Sequence, residues 1–291
     1  MNLLFKRTIA VIVTSLLATN ALAGGYLLQN TPMMSRAQWW ADESRRVSGP
    51  KKTTSEYKPG KQTEYQKKVQ IAEEYVVNAF PKEFQVDKVI RKWVQGTRLK
   101  RPLSYKYKKK KLIIHHTAEV SSWLDSIEKE KEAVREIYRF HTFSRWRGDI
   151  GYNYLIAPSG TIFEGRNGGS DVIAAHAVWN NTESIGISLL GDFNKEKPTK
   201  EQLQSLIKLL VALWHNYGIN PLQEVTYHTF DANAKQPHIH NIKMDSVVGH
   251  QDVWSTSCPW DNLYKLLPTI KRAVAKELWY VQLKKRIINT R

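Results

Sequence analysis

Cysteine is almost missing from this chain: Cys258 is the only one in 291 residues. A single thiol excludes a disulfide framework, so the fold must rest on a buried core, which a chain of this length can build. Long apolar runs are scarce too. The run Thr8–Ala18 near the N-terminus is eleven residues long, well short of the roughly 20 that a membrane-crossing helix needs. Acidic residues are few, 27 against 44 Lys and Arg, and no internal repeat marks a solenoid.

What is present gives these absences meaning. Lys6 and Arg7 precede the apolar run, and Ala21-Leu22-Ala23 offers small residues for cleavage before Gly24. That is the pattern of a secretory signal. Residues 1–23 are therefore expected to be removed near Ala23, leaving an exported, periplasmic or secreted protein with no transmembrane segment. No cysteine follows the cleavage point, which disfavours a lipid anchor. In an oxidising compartment an unpaired cysteine calls for an explanation. Burial as an inert side chain is one, and metal ligation is another. Cys258 lies in a polar loop eight residues after His250 and just before Pro259, which favours ligation.

The charge is concentrated. Without Lys6 and Arg7 the 44 basic residues become 42, against 27 acidic ones. Between Lys51 and Lys111 stand 18 Lys and Arg against 6 Asp and Glu. Such an excess implies an anionic partner. An exported protein meets little nucleic acid, so an anionic polymer or lipid surface of the cell envelope is the expected one. The segment is punctuated by Pro50, Pro59-Gly60, Gly96 and Pro102, and Tyr65–Phe80 carries helical spacing. It is expected to be a partly ordered insertion.

The compact part begins at about Leu112. Short apolar runs at Leu112–His115, Asn153–Ala157, Thr161–Glu164, Val172–Ala175 and Ile185–Leu190 predict strands, with a turn at Pro158-Ser159-Gly160. Helices are predicted from Ile127 to Phe143 after an Asp125 cap, and from the capping box Thr199-Lys-Glu-Gln202 to Gly218. Another, broken or started at Pro268, runs towards Arg291. The expected fold class is α/β, a mixed central β-sheet flanked by helices.

His115, His250 and Cys258 read as one zinc site. Two imidazoles and a thiolate suit zinc, and three protein ligands leave a fourth position for water, as catalytic sites do. A strand through His115 would turn His116 away. His141 is expected to pack beneath the site, and His215 to sit near a helix end. His238-Ile-His240 could present two imidazoles on one strand face, but the stretch Val225–Asp245, which also holds His228, reads more simply as a surface loop.

At this point the motifs resemble a family. Ile114-His115-His116-Thr117-Ala118, Asp149-Ile-Gly-Tyr152-Asn-Tyr-Leu-Ile156, Glu164-Gly-Arg166, His176-Ala-Val-Trp-Asn-Asn181, Ser184-Ile-Gly-Ile187 and Gly249-His250 with Thr256-Ser-Cys258-Pro259 occur in order. Together they are similar to the zinc-dependent N-acetylmuramoyl-L-alanine amidases that share a fold with peptidoglycan recognition proteins. The resemblance covers most of 112–270, and Ser35-Arg-Ala-Gln-Trp39 resembles the start of the domain. With the signal pattern at 1–23 set aside, it implies an N-terminal domain segment at 24–46, an insertion at 47–110 and the amidase domain at 111–291. It also implies one Zn2+ per chain on His115, His250 and Cys258, with Tyr152 and Thr256 as catalytic helpers. His176, Asn181 and Arg166 would bind substrate, which would be peptidoglycan or its muropeptides.

The sequence departs from one branch of the family in having Ser188 and Cys258 where that branch has Glu and Asp, and it has Trp260 and Gln251 where Gly and Arg are frequent. The implied reaction is hydrolysis of the amide between the lactyl group of N-acetylmuramic acid and L-alanine. Two other readings stay open, a recognition protein that binds without cleaving and a hydrolase using Cys258 as nucleophile.

Overall fold

A computed structural model describes residues 31–43 and 109–291, apart from 146–147, 179, 182, 232–237 and 290–291. The side chains of 143, 228–231, 238–240 and 280–289 also lie outside that description. The expected signal peptide, the helix at Tyr65–Phe80 and almost all of the basic insertion fall outside the described residues.

The centre is a five-stranded sheet in the order β3-β2-β4-β1-β7. Its strands are β1 (Lys111–His116), β2 (Tyr154–Ile156), β3 (Ile162–Glu164), β4 (Ser184–Leu189) and β7 (Val247–Gly249). β1 lies parallel to both β4 and β7, β2 is parallel to β4, and only β3 runs antiparallel. The sheet is mixed, as expected from apolar runs alternating with helices. The Pro158-Ser159-Gly160 turn joins β2 to β3, with the Gly160 N–H donating to Ala157 O at 2.8 Å and φ of +85° at the glycine.

Alternation along the strands sorts the side chains between two faces. Leu112, Ile114, Ile185, Ile187 and Leu189 join one core, which is covered by α2 (Lys200–Tyr217) and α4 (Leu267–Asn289). On the other face Leu155 and Phe163 pack with Val134 and Tyr138 of α1 (Ile127–Arg139). His115 and Ser188 are register partners of the set that avoids the α2/α4 core. The site therefore shares its face with α1.

Several expectations are corrected. Ser126, not Asp125, caps α1, its side chain accepting from the Lys129 N–H, while Asp125 forms an ion pair with Lys129 at 2.8 Å. The helix ends at Arg139 and widens into a π-helical turn, Phe140–Ser144, closed by the Arg145 N–H donating to Phe140 O. Val172–Ala175 adds no strand to the sheet. Its backbone bonds go to the Asn153 side chain, which donates to Val172 O at 3.1 Å, and to Gly151 O, which accepts from the Ala175 N–H at 2.8 Å. The expected loop at 225–245 is a hairpin of β5 (Glu224–Asp231) and β6 (His238–Asp245), followed at once by β7. The metal alternative at His238 and His240 depends on side chains outside the described residues. A short helix, α3 (Asp261–Tyr264), precedes α4.

The segment 33–43 belongs to this body. Met34 bridges Phe163 in parallel, with its N–H donating to Ile162 O at 2.7 Å and its carbonyl accepting from the Glu164 N–H at 2.9 Å. Trp39 is fully buried, edge-on to Tyr138 at a centroid distance of 5.8 Å. Arg36 Nη1 donates to Asp149 Oδ1 at 3.0 Å, a buried pair whose partners sit far apart in the chain.

Where the described residues resume at position 109, the lysines are drawn into the fold. Lys109 and Lys111 are 2% and 0% exposed, and Lys110 pairs with Glu183 at 2.6 Å. The Lys111 ammonium lies 3.0 Å from the centroid of the Tyr227 ring. Burial pushes its pKa well below the usual lysine range, with Glu183 pulling the other way. The end of the basic run is thus part of the fold and not a free cationic surface.

Candidate metal centre

β1 delivers His115 at its C-terminal end, beside Ser188 of β4. β7 delivers His250, which opens a 3-10 turn, His250–Asp252. The chain then folds back through a loop closed by the Gln251 N–H donating to Cys258 O at 2.7 Å, and this returns the thiol to the imidazoles. Gly249 has to be small here, because a Cβ would lie 2.8 Å from the Tyr264 ring and 2.9 Å from Pro259 Cδ.

Among the described residues, one group of His, Cys, Asp or Glu side chains could hold a metal. It consists of His115, His250 and Cys258, with one ligand atom from each within 4.8 Å of the others. Cys258 Sγ lies 3.9 Å from His115 Nδ1, and the rings of His115 and His250 are 4.4 Å apart. Bond lengths of 2.0–2.3 Å place tetrahedral zinc ligands roughly 3.5 Å from one another. The spacing and the donor set both fit zinc. Burial pushes the Cys258 thiol up to about 12, while the His116 N–H, 3.4 Å from Sγ, opposes that shift. Without a cation the sulfur keeps its proton at neutral pH; a bound metal would displace it.

The other expected residues gather at different depths. Tyr152 is half-buried with its ring centroid 5.3 Å from that of His115. His176 is closer still, its Nδ1 2.9 Å from His115 Nε2. Asn181 shapes the loop that carries His176, its Oδ1 accepting from the N–H groups of His176 and Ala177 at 2.9 and 2.8 Å. Arg166 is only 9% exposed, and its Nε donates to Ile150 O at 3.1 Å. That contact ties it to the segment holding Tyr152. Thr256 accepts from the Cys258 N–H at 3.3 Å and, with Gln251, Asp252, Ser257, Trp260 and Asp261, lines an open polar depression beside the ligand loop.

The remaining histidines behave as alternation and packing require. His116 turns from the site, its Nδ1 accepting from the Phe193 N–H at 3.4 Å. His141 packs beneath Tyr152, ring to ring at 5.6 Å, and accepts from the Gly151 N–H at 2.8 Å. Ser184 was visible only as the first residue of the Ser184-Ile-Gly-Ile187 motif, with no role attached; its hydroxyl approaches His176 at 3.4 Å.

Comparison with known proteins bears on this geometry. The family described as N-acetylmuramoyl-L-alanine amidase (Amidase_2) matches residues 106–261, more than half of the chain. The chain belongs to that family. Peptidoglycan-recognition protein SC2 of Drosophila simulans is 31% identical over 157 residues, covering 54% of this chain and 71% of the relative. Peptidoglycan-recognition protein LE of Drosophila melanogaster is 35% identical over 130 residues, but only 45% of this chain and 36% of that protein are covered. The human N-acetylmuramoyl-L-alanine amidase is 24% identical over 159 residues, 54% of this chain and 23% of its own length. Among solved structures, Drosophila PGRP-LB is 28% identical with a TM-score of 0.45, covering 60% of this chain and 88% of that one. The relatives thus carry two kinds of name, amidase and recognition protein. Among the described residues no helix is long and apolar enough to cross a membrane.

Proposed function

We propose that this member of the family is an exported zinc amidase, which hydrolyses the amide between the lactyl group of N-acetylmuramic acid and L-alanine in peptidoglycan or its fragments. The observation that carries this reading is the thiol of Cys258 brought to His115 and His250 with Tyr152 alongside. His115, His250 and Cys258 would hold the zinc, which when bound supplies a Lewis acid and water acidified to a pKa of about 7. Tyr152 presents an O–H donor on the same side, placed to stabilise charge developing on the scissile carbonyl oxygen. The buried face beneath it, with His141 accepting from the Gly151 N–H, holds the Tyr152 backbone so that little reorganisation is needed.

A recognition protein that binds wall fragments without cleaving them is the second reading, favoured by the names of several relatives. The test uses full-length protein, purified sacculi and product mass spectrometry. Wild type should contain one zinc and release stem peptides. Cys258→Ser and chelator treatment should abolish both metal and release. Tyr152→Phe should keep its zinc and lose about 10²–10³ in kcat. A zinc-loaded wild type that binds sacculi and releases no peptide would establish the second reading instead.

The N-terminal features belong to the same proposal. Residues 1–23 act as a signal peptide, 24–46 open the amidase domain, 47–110 form an insertion and 111–291 complete the domain. The insertion holds the enzyme on anionic envelope polymer through its lysines and arginines other than Lys109 and Lys111, which are buried.

A further inference from the structure

The polar arrangement around His115 continues past the three ligand side chains. His115 Nδ1 faces Cys258 Sγ, and its other nitrogen, Nε2, lies 2.9 Å from His176 Nδ1 with the two rings at 81°. His176 Nε2 in turn lies 3.4 Å from Ser184 Oγ. The Ser184 hydroxyl is oriented by two main-chain carbonyls, Asn180 O at 2.7 Å and Asn181 O at 2.9 Å. A carbonyl only accepts, so the one hydroxyl hydrogen of Ser184 goes to them, and its oxygen is left to accept from His176. His176 therefore carries its hydrogen on Nε2 and offers a lone pair at Nδ1. His115 must then donate from Nε2, which leaves its Nδ1 lone pair directed at the metal position.

The ring of His176 has no room to do otherwise. It is 5% exposed, and the N–H groups of residues 176 and 177 are fixed by Asn181. Beneath it lies Gly186 of β4, where a Cβ would sit 2.3 Å from the ring carbons Cδ2 and Cγ. The sheet thus leaves a slot one imidazole thick, formed by the lack of a side chain at 186.

We propose that His176 is a positioning residue of the metal centre, not a groove-lining contact to substrate. Through Ser184 it sets the tautomer and ring angle of His115, over a platform that only glycine at 186 permits. This inference rests on the reading of His115, His250 and Cys258 as the metal site. Partners of this kind behind metal-bound histidines typically contribute 10–100-fold in metal affinity or activity.

The test measures zinc affinity of the full chain by chelator competition, with the absorption spectrum of the Co2+-substituted protein as a second readout. His176→Leu should bind zinc about 10–100-fold more weakly and shift the cobalt bands. His176→Asn should stay close to wild type, because its amide oxygen stands where Nδ1 stood and accepts the same hydrogen. Gly186→Ala should reproduce the loss without altering any polar group, with circular dichroism of the metal-free proteins checking that each variant folds. Wild-type affinity in His176→Leu would overturn the proposal, as would an equal loss in the Leu and Asn variants. A wild type that takes up no zinc would sink the metal reading itself, a result distinct from either of these.

Discussion

Lys109 shows how a single residue couples this fold to pH. It is 2% exposed, and burial lowers its pKa to about 8 from 10.5, opposed by the nearby charge of Asp171. Below about 8 the lysine is charged in both the folded and unfolded chains, so the cost of burying the charge is carried in full. Between about 8 and 10.5 the unfolded chain holds the proton and the folded one does not, so stability rises with pH. Lys109→Met removes that dependence. Urea midpoints of variant and wild type, taken from pH 7 to 10.5, should converge upwards from the wild-type side by roughly 3 kcal/mol. A constant difference across that range would contradict the assignment. The grouping of His115, His250 and Cys258 was readable in the sequence because their chemistry is narrow: few roles suit a lone thiol eight residues after a histidine. The depth of His176 and Arg166 was not readable, since it depends on a glycine in another strand and on a carbonyl in another loop.

At the level of elements, the link between α2 and the sheet runs through Gln202. Its side chain is 1% exposed, with Nε2 donating to Ile156 O at 3.2 Å and Leu190 O at 2.8 Å, while Oε1 accepts from the Thr199 N–H at 3.0 Å. One residue thus closes the capping box and pins the helix start to the ends of β2 and β4. Gln202→Leu should cost about 2–4 kcal/mol in urea unfolding, because it strands buried backbone groups. Zinc affinity should be unchanged, since α2 lies on the sheet face opposite the site. The sequence displayed α2 from cap to Gly218 because capping chemistry and the apolar stripe are local. β7, three residues long, and the β5–β6 hairpin were hidden because their pairing is settled by tertiary contacts. Tyr227 stacked on Lys111 is one such contact, invisible to periodicity.

For the whole molecule, the excess positive charge is the dominant long-range property. If the insertion holds the enzyme on anionic polymer, deleting residues 47–107 should weaken binding to sacculi at low salt. The difference should vanish as ionic strength rises and the screening length shrinks to roughly 3 Å at 1 M. Equal binding of both forms at low salt would end that reading. The structure also shows how the residues flanking positions 44–108 are held. Before that stretch, Met34, Arg36 and Trp39 are locked against β3 and α1; after it, Lys109–Lys111 are locked against β4 and the hairpin base. If residues 47–110 grip polymer as proposed, they would do so as a handle riveted at both ends, and a pull on it would be shared by two seams of the same body. A single cut in the handle would leave the severed front piece clasped by its buried tryptophan and arginine.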